Sequence, residues 1–252
     1  MEVIDIALFV AGFASWTIST LSAGGGSLLM VAATSTLLTG HAIAPVITVT
    51  SMIASPARML LFWRCIEWRV VWWYLPGAAI GALVGGWIFA HVSGQFVQIC
   101  VALFLISTVW QYRLGHRERS FRMRLPWFLP VSLVSGATSA IVGASGLLAN
   151  PFYLNYGMVK ERMVATRAVN SLVIQVMKIA AYAAFGVLEW DLVRHGVFAG
   201  AGAVLAIWVT RPWLYRLDSR RFRQLAVLVM VVSGVLVLWQ QRASLLGALV
   251  RG

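Results

Sequence analysis

Charged residues are scarce in this chain. They make up 11% of its 252 residues, against about 25% in a typical soluble domain. With 60% hydrophobic residues and a mean hydropathy of +0.84, the chain carries more apolar surface than a soluble domain of this size can hide. That excludes a soluble globular protein and leaves an integral membrane protein. Acids are the scarcest. Glu2, Asp5, Glu67, Glu118, Glu161, Glu189, Asp191 and Asp218 all fall at or near the ends of apolar segments. No carboxylate is left deep in a span to act as a proton relay or cation ligand, so the expected permeant species is an anion.

Metal and disulfide chemistry have little to work with. Cys65 stands beside a basic turn and Cys100 lies in an apolar stretch, a spacing that reads as packing. His41, His91, His116 and His195 sit at turns or segment ends, too separated for a metal site. Glu2 and Asp5 precede the first apolar run with no Lys or Arg, so a cleaved leader is not expected and the first segment is retained. The net charge of +12 is carried mostly by Arg residues between apolar runs. That pattern follows the positive-inside tendency of loops rather than a nucleic-acid footprint.

A membrane crossing takes about 20 apolar residues, which places helices at roughly 43–63, 69–90, 95–113, 163–186, 190–210 and 222–240. Two further apolar stretches, at roughly 5–39 and 126–158, are long and interrupted. Glycine breaks both, as 24-GGGS-27 and 143-GASG-146. A shift of 119 lays 26-GSLL-29 on 145-SGLL-148 and Ser51 on Asn170. Shifts of 122 and 121 lay 67-EWRV-70 on 189-EWDL-192 and Trp87 on Trp208. The common order marks a tandem duplication: residues 1–113 as the first transmembrane repeat, 114–125 as a basic cytoplasmic connector and 126–252 as the second repeat.

Charge then tests topology. If every apolar stretch crossed once, the basic segments 113–124 and 211–223 would lie on opposite sides. If each glycine-broken stretch dips in and returns, segments 64–69, 113–124, 160–162 and 211–223 lie together in the cytoplasm and both termini lie outside. The expected fold is therefore an all-α polytopic membrane protein of two inverted repeats, each with one glycine-broken helical hairpin and three transmembrane helices.

An interior glycine costs roughly 1 kcal/mol of helix stability relative to alanine, and a broken helix in lipid leaves backbone groups without partners. Two hairpins entering from opposite faces would bring their tips near the midplane, where helix N-termini expose N–H groups to an anion. Gly24, Gly25, Gly26 and Ser27 would form one half of that site, and Gly143, Ala144, Ser145 and Gly146 the other. Ser51, Ser55 and Arg58 share one helical face; Arg167, Asn170 and Ser171 stand within one turn, and Lys178 returns to nearly the same face. Asn150 reads as a cap, a bend or a ligand. Helix packing remains the rival reading for the glycines, and snorkelling for Arg58. Gly77, Gly81 and Gly85 form a small-residue stripe read as helix packing, and Trp68, Trp72, Trp73 and Trp190 read as an interfacial belt.

The ordered pair LSAGGGSLL and IVGASGLLANP, together with the duplication and the basic central segment, resembles the sulfite exporter TauE/SafE family of membrane permeases. The resemblance implies transport, with export the direction the family's name gives, of sulfite, organosulfonates or related small sulfur-containing anions across a bacterial cytoplasmic membrane. Met30, Val31 and Ala32 stand where further small or polar residues are expected after the first break, so the half-sites are unequal. The expected partners are the anion and the lipid bilayer, with no nucleic acid, no cofactor and no enzymatic activity; assembly into a homo-oligomer is left open. The rival from another class is an intramembrane serine protease, because 143-GASG-146 also resembles the rhomboid GxSG motif, with His195 as the one plausible partner for Ser145.

Overall fold

A computed structural model describes residues 3–34, 37–38, 40–89, 103, 106–107, 120–142, 147–184 and 188–240. These residues contain helices and no strand: α1 (Val3–Ser22), α2 (Gly26–Thr34), α3 (Gly40–Leu61), α4 (Trp68–Phe89), α5 (Phe128–Val142), α6 (Asn150–Tyr156), α7 (Lys160–Ala184), α8 (Trp190–Arg216) and α9 (Ser219–Gln240). The span expected at 95–113 falls almost wholly outside the described residues. Val3–Ser22, Ala42–Leu61, Lys160–Ala180 and Trp190–Arg216 are each long and apolar enough to cross a membrane. The first interrupted stretch is therefore the 20-residue α1 followed by the 9-residue α2.

Glycine sets the closest helix contacts. A Cβ on Gly81 would lie 2.9 Å from the Leu133 carbonyl carbon, and one on Gly85 2.8 Å from that of Ala137. The stripe of α4 therefore lets α5 approach backbone to backbone, the packing role its spacing implied. On the other side of the bundle a Cβ on Gly12 of α1 would lie 2.9 Å from the Ala199 carbonyl carbon of α8, and one on Gly202 3.0 Å from that of Phe9. Between these two pairs run α3 and α7, which pack on each other, α3 also on α8 and α7 on α4. Leu60, Trp72, Trp190 and Trp208 are among the exposed large side chains, an apolar exterior suited to lipid.

The two ends of the bundle gather different segments. At one end Glu67 pairs with Arg162, the Glu67 N–H donates to Thr166 Oγ1 at 3.0 Å, and Lys160 Nζ donates to the Tyr215 carbonyl at 3.2 Å. Asn155 Oδ1 accepts the backbone N–H groups of Ser120 and Phe121 at 2.6 and 3.0 Å, tying these two residues to the same region. At the other end Asp5, 1% exposed, lies 3.7 Å from Arg194 Nε and 3.9 Å from His195 Nδ1.

Candidate functional site

Residues 23–25 reverse the chain between α1 and α2. Ala23 and Gly25 have φ of 52° and 87°, left-handed values that glycine adopts freely and alanine at a cost. The Gly24 N–H donates to the Ser19 carbonyl at 2.9 Å, and Ser22 Oγ lies 2.9 Å from the Gly24 carbonyl oxygen. A Cβ on Gly26 would sit 2.7 Å from Ser19 Cβ, so α2 folds back along α1. The first N–H groups of α2 lack intrahelical partners, and Gly24, Gly25, Gly26 and Ser27 line a cavity of ≈ 80 Å³. That is several times the roughly 10–15 Å³ a single water needs on this measure, room for a small oxyanion.

Across the cavity stand two guanidinium groups. Arg58 Nη2 donates to Thr20 Oγ1 at 3.0 Å, directing the side chain inward to α1; snorkelling to the end of α3 is set aside. Arg58 Nε is buried without a hydrogen-bond partner. Arg167 packs directly on Gly24, where any Cβ would overlap its guanidinium; the absent side chain is what lets the backbone and the cation meet. The two arginines are near enough to repel one another. No acid lines the cavity among the described residues, so an oxyanion between the two cations would relieve that repulsion.

Ser51 and Ser55 from α3 and Asn170 and Ser171 from α7 also line the cavity. Asn170 Nδ2 donates to Tyr153 Oη at 2.6 Å. Tyr153 is hydrogen-bonded to Tyr74, and Tyr74 to Ser135. The two tyrosine rings stack with centroids 6.1 Å apart. These tyrosines, with Ser135, Ser139 and Gln175, line the cavity and were not picked out from sequence. A tyrosine in an apolar run looks like an interfacial anchor. Gln175 did carry a signal, an uncharged polar side chain in mid-span.

Other expected members stand differently. Asn150 is not on the lining but is fully buried beside Gly24, with neither amide atom hydrogen-bonded. Lys178 is buried and lies outside the cavity, one turn past Gln175. Gly143, Ala144, Ser145 and Gly146 lie outside the described residues. The protease reading finds no support: His195 is absent from the lining, and its Nδ1 lies 2.9 Å from the Asp191 carbonyl oxygen.

An all-helical bundle with membrane-length apolar helices around a buried polar cavity defines a polytopic membrane protein. The pattern that defines the family "Sulfite exporter TauE/SafE" matches residues 8–237, and the chain belongs to that family. It is 28% identical over 139 residues to the "Probable inner membrane transporter protein TsaS" of Comamonas testosteroni, a match covering 53% of this chain and 54% of that protein. The chain thus spans about half the length of this curated relative. No solved structure matches.

Proposed function

We propose that this protein is a permease that exports sulfite, an organosulfonate or a related small sulfur-containing anion, held between the broken-helix tip at Gly24–Ser27 and the guanidinium groups of Arg58 and Arg167. One observation carries the reading: two arginines, hydroxyls and amides converge on a buried cavity whose described lining contains no carboxylate. Asn150 and the 143–146 segment would complete the second half of the site. An interior-negative potential contributes about 2.3 kcal/mol per 100 mV to the exit of a monovalent anion, enough to drive export with no coupling ion.

The proposed architecture is two inverted repeats, residues 1–113 and 126–252, joined by a cytoplasmic connector at 114–125. A shift near 120 carries α1 onto α5, α3 onto α7 and α4 onto α8. The same shift exchanges the α1–α8 interface with the α4–α5 interface, each closed by glycine. This exchange supports the duplication. Three crossings per repeat would invert the second against the first, with the 64–69, 160–162 and 211–223 segments inside and both termini outside. The gathering of those three segments at one end of the bundle supports this arrangement.

The test is sulfite efflux from proteoliposomes. Arg167→Ala and Ser27→Ala should each lower flux while the folded fraction is kept. Unchanged flux in both would remove these residues from the site.

A further inference from the structure

The polar surface between α3 and α7 does not stop at the cavity. On α3, Thr48, Ser51, Ser55 and Arg58 recur at i, i+3, i+7 and i+10; all but Arg58 are at least nine-tenths buried. On α7, Arg167 is followed by Ser171, Gln175, Lys178 and Tyr182 at i+4, i+8, i+11 and i+15. At 100° per residue each set stays within an arc of roughly 80°. The two helices pack against each other, and the hydroxyls of Thr48 and Tyr182 share a hydrogen bond across the interface. Together with the approach of Arg58 to Arg167, that bond fixes an antiparallel register. A polar seam thus leaves the cavity at Gln175 and runs toward the C-terminal end of α7.

Hydroxyls at a helix interface serve packing, as the Thr48–Tyr182 bond does, but a buried amide oxygen left without a partner costs free energy where alanine or leucine would pack without penalty. Gln175, on the cavity wall, has its Oε1 buried and without a hydrogen-bond partner. Lys178, only 4% exposed, follows one turn later. A cation within a span is costly and belongs to a pathway or a partner.

We propose that Lys178 forms a second anion station, about 16 Å along α7 from Arg167 at 1.5 Å per residue, which receives the oxyanion after it leaves the central cavity. The inference rests on the permease reading and extends it from one site to an ordered pair. The two sites differ in strength by construction. Two guanidinium groups with several hydroxyls hold the anion more tightly than one ammonium, and a weaker second stop lets a tightly bound ion depart. In the proposed topology the seam points outward, so the anion passes from the stronger site to the weaker one on its way out.

The test separates binding from passage, with sulfite as the probe. Lys178→Met keeps side-chain length and removes a buried charge, with thermal unfolding in detergent to show that the fold is kept; Lys178→Gln is made beside it as a polar control. Equilibrium sulfite binding to the purified protein should stay within twofold of wild type in both. Maximal efflux from proteoliposomes should fall tenfold or more, and Lys178→Arg should restore it. Wild-type efflux in Lys178→Met with binding intact would overturn the second station alone. Loss of binding together with efflux would also overturn it, by making Lys178 part of the central site. Failure of the wild-type protein to bind sulfite, or undiminished binding in Arg167→Met, would bring down the central-site reading and this proposal with it.

Discussion

Gly24→Ala, measured beside Gly81→Ala, separates a binding role for glycine from a packing role. A methyl group at position 24 would overlap the Arg167 guanidinium and lie 2.6 Å from Leu147 Cδ2, about 1 Å inside ordinary carbon contact. The obstructing atoms are the ends of flexible side chains, so Arg167 moves by a similar distance, while the φ of 157° at position 24 adds backbone strain that lowers stability separately. Stretching a guanidinium–oxyanion contact from about 3 to 4 Å loses roughly 1.4 kcal/mol at an effective dielectric of about 20. The charge-assisted hydrogen bond it breaks is worth about 1.5–3 kcal/mol. These terms overlap, so the expected loss is about 1.5–3 kcal/mol, a ten- to hundredfold rise in the sulfite concentration for half-maximal flux. At Gly81 the added carbon meets backbone instead, 2.9 Å from the Leu133 carbonyl carbon and 3.0 Å from Ala137 N. Helices α4 and α5 must then part at a cost of about 1–3 kcal/mol, with half-saturation unchanged. Flux titration in proteoliposomes and thermal unfolding in detergent read the two effects separately. Wild-type half-saturation in Gly24→Ala, or a shifted half-saturation in Gly81→Ala, would refute the distinction.

Three further outcomes follow from sites away from the cavity. Asp5→Ala removes the carboxylate that faces Arg194 and His195; it should destabilise the bundle by about 1–3 kcal/mol, and an unchanged melting temperature would count against that tie. Asn155→Ala frees the Ser120 and Phe121 N–H groups, so trypsin should cut at Arg122 and Arg124 several times faster than in wild type; equal cleavage rates would show that the clamp does not hold the connector. Burial pushes the Cys65 thiol up from its ordinary value of 9.0, the Glu161 carboxylate pushes the same way, and Arg162 opposes them. In a Cys100→Ser background, maleimide labelling should therefore be slow near neutrality and climb as pH passes 9. Glu161→Gln should quicken it at pH 8, and matching rates at every pH would remove Glu161 as a cause.

Much of this architecture was legible because the bilayer imposes a length. The apolar runs read as roughly 43–63, 69–90, 163–186, 190–210 and 222–240 correspond within a few residues to α3, α4, α7, α8 and α9, α8 excepted at its C-terminal end. There the helix continues through Pro212 to Arg216, past the point where hydropathy falls. Gly24–Ser27, Arg58 and Arg167 stood out because glycine clusters and cations oppose the surrounding apolar run. Tyr74 and Tyr153 did not, because their meeting depends on how α4 and α6 dock, which no local pattern encodes. Asn155 was invisible for the same reason: its partners are backbone groups 34 and 35 residues away. The unequal arms of the first broken stretch were hidden too, since hydropathy reports total length and not where a turn divides it.

The pairing of α1 with α8 has a consequence for how this protein is made. At about 5–20 residues per second, the ribosome needs roughly 10–30 s to travel from the end of α1 at Ser22 to the start of α8 at Trp190. Throughout that interval Gly12 lacks the Ala199 backbone it packs against, and Asp5 lacks Arg194 and His195. Among the described helices α1 is thus the first made, yet its contacts with α8 are among the last to be secured.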